Sequence, residues 1–261
     1  MPPLDEILLK TYLLPFILIL ARMLAFFGIA PLFSASGFPT QGKIALAGFL
    51  SMIILFLRGT HVPPIELDLW PFAGLIAGEV LIGMLMGFIV GLVFAAFQLA
   101  GYVMGFQMGF AVANVLDPVS GDQTSVLGQF IFLFGLLAFL GIDGHHVLIK
   151  GMTESFDLVP IGTLSASGGL VDMMSTMFQS YFATALKVAL PVLGIVLMLD
   201  VSLGIVARTV PQMNVFMVGL PLKTLVGIFM LFISFSFLNE LMKIEFDQML
   251  RNFYLFMQSL G

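Results

Sequence analysis

Cysteine is absent from the 261 residues, which excludes disulfides, thiolate metal sites and cysteine nucleophiles together. Charge is scarce. Asp, Glu, Lys and Arg make up 10% of the chain, where a soluble domain carries about a quarter. Basic residues are the rarer sign, 10 against 15 acidic, for a net charge of −5. That leaves no electrostatic footprint for a polyanion, so no nucleic-acid partner is expected. Low-complexity tracts are missing, and a disordered chain is excluded by the same composition. An ordinary cytosolic enzyme is excluded by what fills the space instead.

Hydrophobic residues make up 60% of the chain, with 28 Phe and 18 Met beside one Trp. The mean hydropathy is +1.12. This composition describes an integral membrane protein, long enough for about five to eight helices at ~20 residues per crossing. The first charges are Asp5 and Glu6 and the first base is Lys10. A cleaved signal needs a basic start, so these residues are expected to stay in the mature chain.

The first apolar segment runs from about Ile7 to Phe33, with Lys10 and Arg22 inside it, and ends at Pro31 and Ser34 to Pro39. The second, Ile44 to Leu57, is short for a straight span. Arg58 to Asp68, with Pro63-Pro64, reads as a loop. From Val80 to Leu116 no residue is charged. As one helix that run would reach ~55 Å, against a bilayer core of ~30 Å, so a break is expected within Gly101 to Pro118. Val126 to Ile142 is a fourth run. Lys150 to Asp172 reads as the largest polar connector. Met173 to Val206 and Val215 to Leu238 read as a helical hairpin. Its Arg208 to Lys223 loop holds bases and no acid, which places it on the cytoplasmic side. From Asn239 onward, Met242, Phe246, Met249, Phe253 and Met257 share one helical face, opposite Glu240, Lys243, Asp247 and Arg251. That face is expected to lie on a membrane or a partner.

Gly83, Gly87 and Gly91 are spaced by four, as are Gly101, Gly105 and Gly109. Each set makes a bare groove where a second helix can come close, within the chain or from another. Arg22, Glu79, Lys187 and Asp200 are charges inside apolar runs. At a bilayer centre each costs roughly 2.5–3.5 kcal/mol on insertion scales, so they are expected to be paired. Lys187 and Asp200 lie ~20 Å apart on one straight helix and need partners elsewhere. A proton or ion path is the less favoured reading.

Asp143, His145 and His146 are expected to form a capped loop at a helix end, not a metal site. Adjacent histidines on a regular element point in different directions, and no further ligand is spaced to join them. No GxSxG or SxxK motif occurs, so a hydrolase is unsupported. No cofactor and no catalytic residue is expected.

The most informative stretch is Phe106 to Pro118, where glycines, Met and Phe interrupt the charge-free run before Asp117-Pro118. Irregular backbone at membrane depth survives when buried in protein or lining a cavity. Met and Phe supply a surface that can deform and repack. A tight turn between two helices is the plainer reading.

Here the sequence resembles the FliR family of flagellar type III export-gate membrane proteins and its counterpart in virulence injectisomes. The resemblance rests on Arg22, Pro31-Leu32-Phe33, Pro39 and Lys43; on Gly78-Glu79 with Gly83 and Gly87; on Gln98 to Gly101; on Gly105 to Phe110 with Asp117-Pro118; and on RTVPQMNVF at Arg208 to Phe216 with Gly219 and Pro221-Leu222-Lys223. It implies an all-α fold of kinked helical hairpins, with a FliP-like part at 1–172 fused to a FliQ-like hairpin at 173–261. It implies a non-enzymatic subunit of an export channel in the bacterial inner membrane, at the flagellar basal body, that passes unfolded flagellar proteins. FliP-like and FliQ-like subunits and FlhB-like and FlhA-like proteins are its implied partners. The family's plug maps onto about Phe106 to Asp122. Phe106, Met108 and Phe110 are expected to seal the closed pore, with Gly105, Gln107 and Gly109 as the other pore-segment residues beside them and Asp117-Pro118 fixing the loop. Arg208, Pro211, Gln212, Asn214, Phe216, Pro221 and Lys223 are expected at a subunit interface, with Pro211 and Pro221 bounding the hairpin tip. The competing class is an ion-coupled small-solute transporter in which Glu79 and Asp200 bind a cation.

Overall fold

The computed structural model describes residues 9–34, 39–58, 69–110, 125–163, 169–210, 212 and 214–260. Among them no strand occurs and the fold is all-α. A π-helical turn, Leu9–Leu13, leads into α1 (Leu14–Ile29). Then follow α2 (Pro31–Ser34), α3 (Thr40–Arg58), α4 (Leu69–Gln107), α5 (Val126–Gly141), α6 (Gly144–Leu158), α7 (Leu170–Thr209), α8 (Val215–Ile233) and α9 (Phe235–Leu260). Four helices are long and apolar enough to cross a membrane, or up to six spans if α5 with α6 and α8 with α9 each count as one bent span. The bends are 72° and 61°.

Two compact units divide the chain, and both are discontinuous. The first comprises Met1–Leu92, Asp143–Met177 and Asp247–Gly261; the second comprises Val93–Ile142 and Phe178–Phe246. In the first unit, α1 packs on α3 and on the first part of α4. Gly83 makes the second contact possible: a Cβ there would run into the Arg22 carbonyl oxygen, and one at Gly87 would lie 3.1 Å from the Phe26 oxygen. Phe26 carries the core onward, 5.5 Å from Phe27 and 6.2 Å from Phe253 in edge-to-face pairs. In the second unit, Phe94, Phe97, Phe139 and Phe246 form one aromatic knot with centroids 4.9 to 6.4 Å apart. Gly101 on α4 faces Gly128 on α5, where a Cβ would stand 2.6 Å from the facing Cα. Gly83, Gly87, Gly101 and Gly105 therefore serve close packing within the chain, while a Cβ at Gly91 would meet nothing within 4 Å.

Two expectations need correction and a third holds. The charge-free run breaks within Gly101 to Pro118 as expected: α4 continues for 39 residues through Gly101 and Gly105 and ends at Gln107, ~58 Å of helix. A helical Gly costs about 1 kcal/mol relative to Ala, and here the close approach of α5 offsets it. The supposed connector after Lys150 is helical as far as Leu158. Its composition is polar, but Leu148, Gly151, Met152 and Ser155 are buried at helical spacing, a stripe that the charged exposed face disguises. Finally, the apolar face of α9 lies on neither membrane nor partner. Met242, Phe246, Met249, Phe253 and Met257 are fully buried inside the chain itself, each such side chain worth roughly 1.5–3 kcal/mol.

Candidate functional site

The end of α4 is built in detail. The Phe110 N–H donates to the Gly105 oxygen at 3.0 Å and the Gly109 N–H to the Phe106 oxygen at 3.1 Å. This six-to-one and five-to-two pair, with Gly109 at φ +92°, is a Schellman ending. A residue with φ > 0 there favours glycine. Around it α8 closes a grip. Thr224 Oγ1 donates to the Met108 carbonyl at 2.9 Å, satisfying a group that a helix end leaves without partner. The fully buried Met108 side chain lies over Gly227, where a Cβ would stand 2.6 Å from its Cγ. Leu220 lies against Gly109. Gln107 Nε2 donates to Asp200 Oδ2 at 3.3 Å.

The expected pore-sealing trio therefore divides. Phe106 and Phe110 are exposed, at 62% and 38%, but Met108 is buried. Met108 is an anchor of the segment. Asp117, Pro118 and the rest of the expected plug beyond Phe110 lie outside the described residues.

The four charges expected inside apolar runs all find partners. Arg22 and Glu79, both buried, pair through Nε and Oε2 at 2.6 Å. The other Arg22 nitrogens donate to the Ser155 oxygen and Oγ, both at 3.2 Å, and to the Val159 oxygen at 3.0 Å. The guanidinium lies 4.2 Å from the Phe156 ring centroid. The second Glu79 oxygen accepts the Gly162 N–H at 3.0 Å. This cluster ties α1 and α4 to the end of α6. Asp200 pairs with Lys223. Lys187, itself 58% exposed, reaches Glu245 at 4.0 Å, and Glu245 also accepts from Thr184 Oγ1 at 2.8 Å. Glu79 and Asp200 are thus both engaged by the chain's own donors.

At the hairpin tip, Arg208, Gln212 and Asn214 are exposed. Asn214 caps α8, its side chain accepting the Met217 N–H at 3.3 Å. Phe216 falls in the first turn of α8, and Pro211 lies outside the described residues. Pro221 does not bound the tip, because α8 continues through it. Lys223 is turned to Asp200, which makes it an intrachain partner.

Asp143, His145 and His146 also depart from expectation. Asp143 stands at the N-cap of α6 with φ 57°, yet its side chain makes no cap bond. It faces His146 instead, Oδ1 to Nδ1 at 3.3 Å. The two imidazoles do not diverge. Their centroids are 4.1 Å apart with planes tilted by 37°.

Sequence reasoning missed Thr224, Gly227 and Leu220 as the grip on α4, and Glu245 as the partner of Lys187. Nothing in local pattern singles these out. The Asp200–Lys223 pair had a signal: the two lie nearly equidistant from the turn at Gln212, so an antiparallel hairpin sets them side by side.

The sequence matches the family of bacterial export proteins, family 1, over residues 13–249. It is 38% identical to the flagellar biosynthetic protein FliR of Bacillus subtilis, over 85% of this chain and 86% of that protein. It is 28% identical to the FliR of Aquifex aeolicus over 98% of each. It is 29% identical to the surface presentation of antigens protein SpaR of Shigella sonnei, over 81% of this chain and 83% of that one.

Proposed function

The chain belongs to the bacterial export proteins, family 1, and on that premise we propose that it is one wall of a flagellar protein-export channel in the bacterial inner membrane. It is a membrane-type helical protein of the flagellar biosynthetic export machinery, and its part there is structural, not catalytic. FliP-like and FliQ-like subunits stand beside it, with FlhB-like and FlhA-like proteins next to that core, and unfolded flagellar subunits pass through. Residues 1–172 act as the FliP-like part and 173–261 as the FliQ-like hairpin. Much of the surface is apolar and unburied within the chain: the most apolar windows of α3 and α7 are each only 22% buried. Such faces suit lipid or neighbouring helices. The same chemistry would serve an injectisome export gate, whose subunit is the close variant of this reading.

The observation that carries the reading is the gripped end of α4. An anchored base, with Met108 held and Phe106 and Phe110 free, fits a segment that must close a passage without drifting from it. The test is ion conductance of the assembled gate in a planar bilayer. Replacing Phe106 and Phe110 together by Ala should raise resting conductance several-fold. Conductance equal to wild type would remove the sealing role.

Arg208, Gln212 and Asn214 at the hairpin tip serve contact with a neighbouring subunit. Asn214 also caps its own helix, so the cleaner probe is Arg208→Ala with Gln212→Ala. Co-purification of FliQ-like chains should fall, and an undiminished yield would count against the contact.

A further inference from the structure

Asp143, His145 and His146 lie at the start of α6, and the export reading gives them no part. Each offers a ligand atom, and the three atoms all lie within 4.8 Å of one another. Neighbouring ligands of a tetrahedral ion at ~2.0–2.1 Å from the metal stand about 3.3–3.4 Å apart. Asp143 Oδ1 and His146 Nδ1 are 3.3 Å apart. Their side chains are 76% and 71% exposed, so a rotation can close the wider spacing to His145.

Three further observations point the same way. His145 Nδ1 is buried and has no hydrogen-bond partner among the described residues, which is costly for a ring nitrogen unless something else meets it. Asp143 is the single non-glycine residue with positive φ among the described residues. A side chain in that conformation is worth relating to function. Its carboxylate also forgoes the capping bond that Asp favours at a helix start.

We propose that Asp143, His145 and His146 bind one divalent transition-metal ion of borderline softness. Two imidazoles and a carboxylate suit Zn2+, Ni2+ or Cu2+ over Mg2+ or Ca2+. Three protein ligands leave at least one position for water.

The full chain would be purified in detergent through a histidine-free tag and equilibrated with Zn2+, with bound metal counted by elemental mass spectrometry. The chain has three histidines, so His61→Ala is the natural control. Wild type and His61→Ala should take up one ion per chain at micromolar metal. His145→Ala with His146→Ala, and Asp143→Asn, should each bind at least tenfold more weakly. Co2+ should give intense visible absorption bands with wild type that Zn2+ abolishes. Uptake by the double variant equal to wild type would overturn the proposal. So would a wild-type chain with no saturable uptake. If the double variant loses helicity, Asp143→Asn and the Co2+ bands decide by the same criteria.

Discussion

Two charged clusters use similar parts in opposite ways. In the first compact unit, Arg22 and Glu79 are almost wholly buried, and each has several partners. In the second, Asp200 and Lys223 pair with side chains still 36% and 23% exposed, beside the gripped end of α4. Burial sets the difference. Removing one partner of a buried pair strands the other charge in a medium that cannot solvate it, at about 3–5 kcal/mol. A pair that keeps contact with solvent gains little and loses little, typically ~0–1 kcal/mol. The first cluster is a fixed clasp. The second can open and close at modest cost.

The sharpest way to break this contrast is Glu79→Leu. It should destabilise the detergent-solubilised chain by about 3–5 kcal/mol, or prevent accumulation altogether, as read by thermal unfolding and yield. A loss under 1 kcal/mol would show that Arg22 finds water, and the clasp would be no clasp. Gly109→Ala comes next. Positive φ at a non-glycine residue costs about 1 kcal/mol, and Leu220 Cδ2, 2.5 Å from the new Cβ, must move as well. The expected loss is about 1–2 kcal/mol in the same assay, together with raised conductance of the assembled gate. A neutral result would mean that the end of α4 is not held as tightly as its bonds indicate. The smallest effect is expected from Asp200→Asn, about 0–1 kcal/mol. In wild type the pair should weaken as salt rises, since a partly exposed pair is screened. A loss comparable to that of Glu79→Leu would collapse the contrast.

The sequence made some of this readable. The charges inside apolar runs marked themselves, because an unpaired ion there is too costly to keep, and pairing follows for all four. The glycine spacing marked the contact faces of α4. What it could not supply was the partner. Arg22 meets Ser155 and Val159, and Lys187 meets Glu245, across separations no local rule spans. The candidate site was half visible. Gly/Met/Phe composition pointed to Phe106 to Phe110, yet composition cannot say which of alternate side chains turns inward. Met108 went in while its neighbours stayed out because the Schellman turn and α8 chose the direction. Asp143 to His146 reads as a capped loop at a helix end because Asp is favoured at the N-cap; Asp143 does stand at the N-cap of α6, but at φ 57° its side chain makes no cap bond and meets His146 instead.

By itself the sequence determined that this is an all-helical, oily chain of an export family, since apolar content, period and motif are properties of the string. Only the tertiary structure decided which charges meet, that the α9 stripe is internal core, and that Met108 anchors while Phe106 and Phe110 stay free. The physical reason is that burial and pairing belong to two surfaces at once, and a linear pattern specifies only one of them.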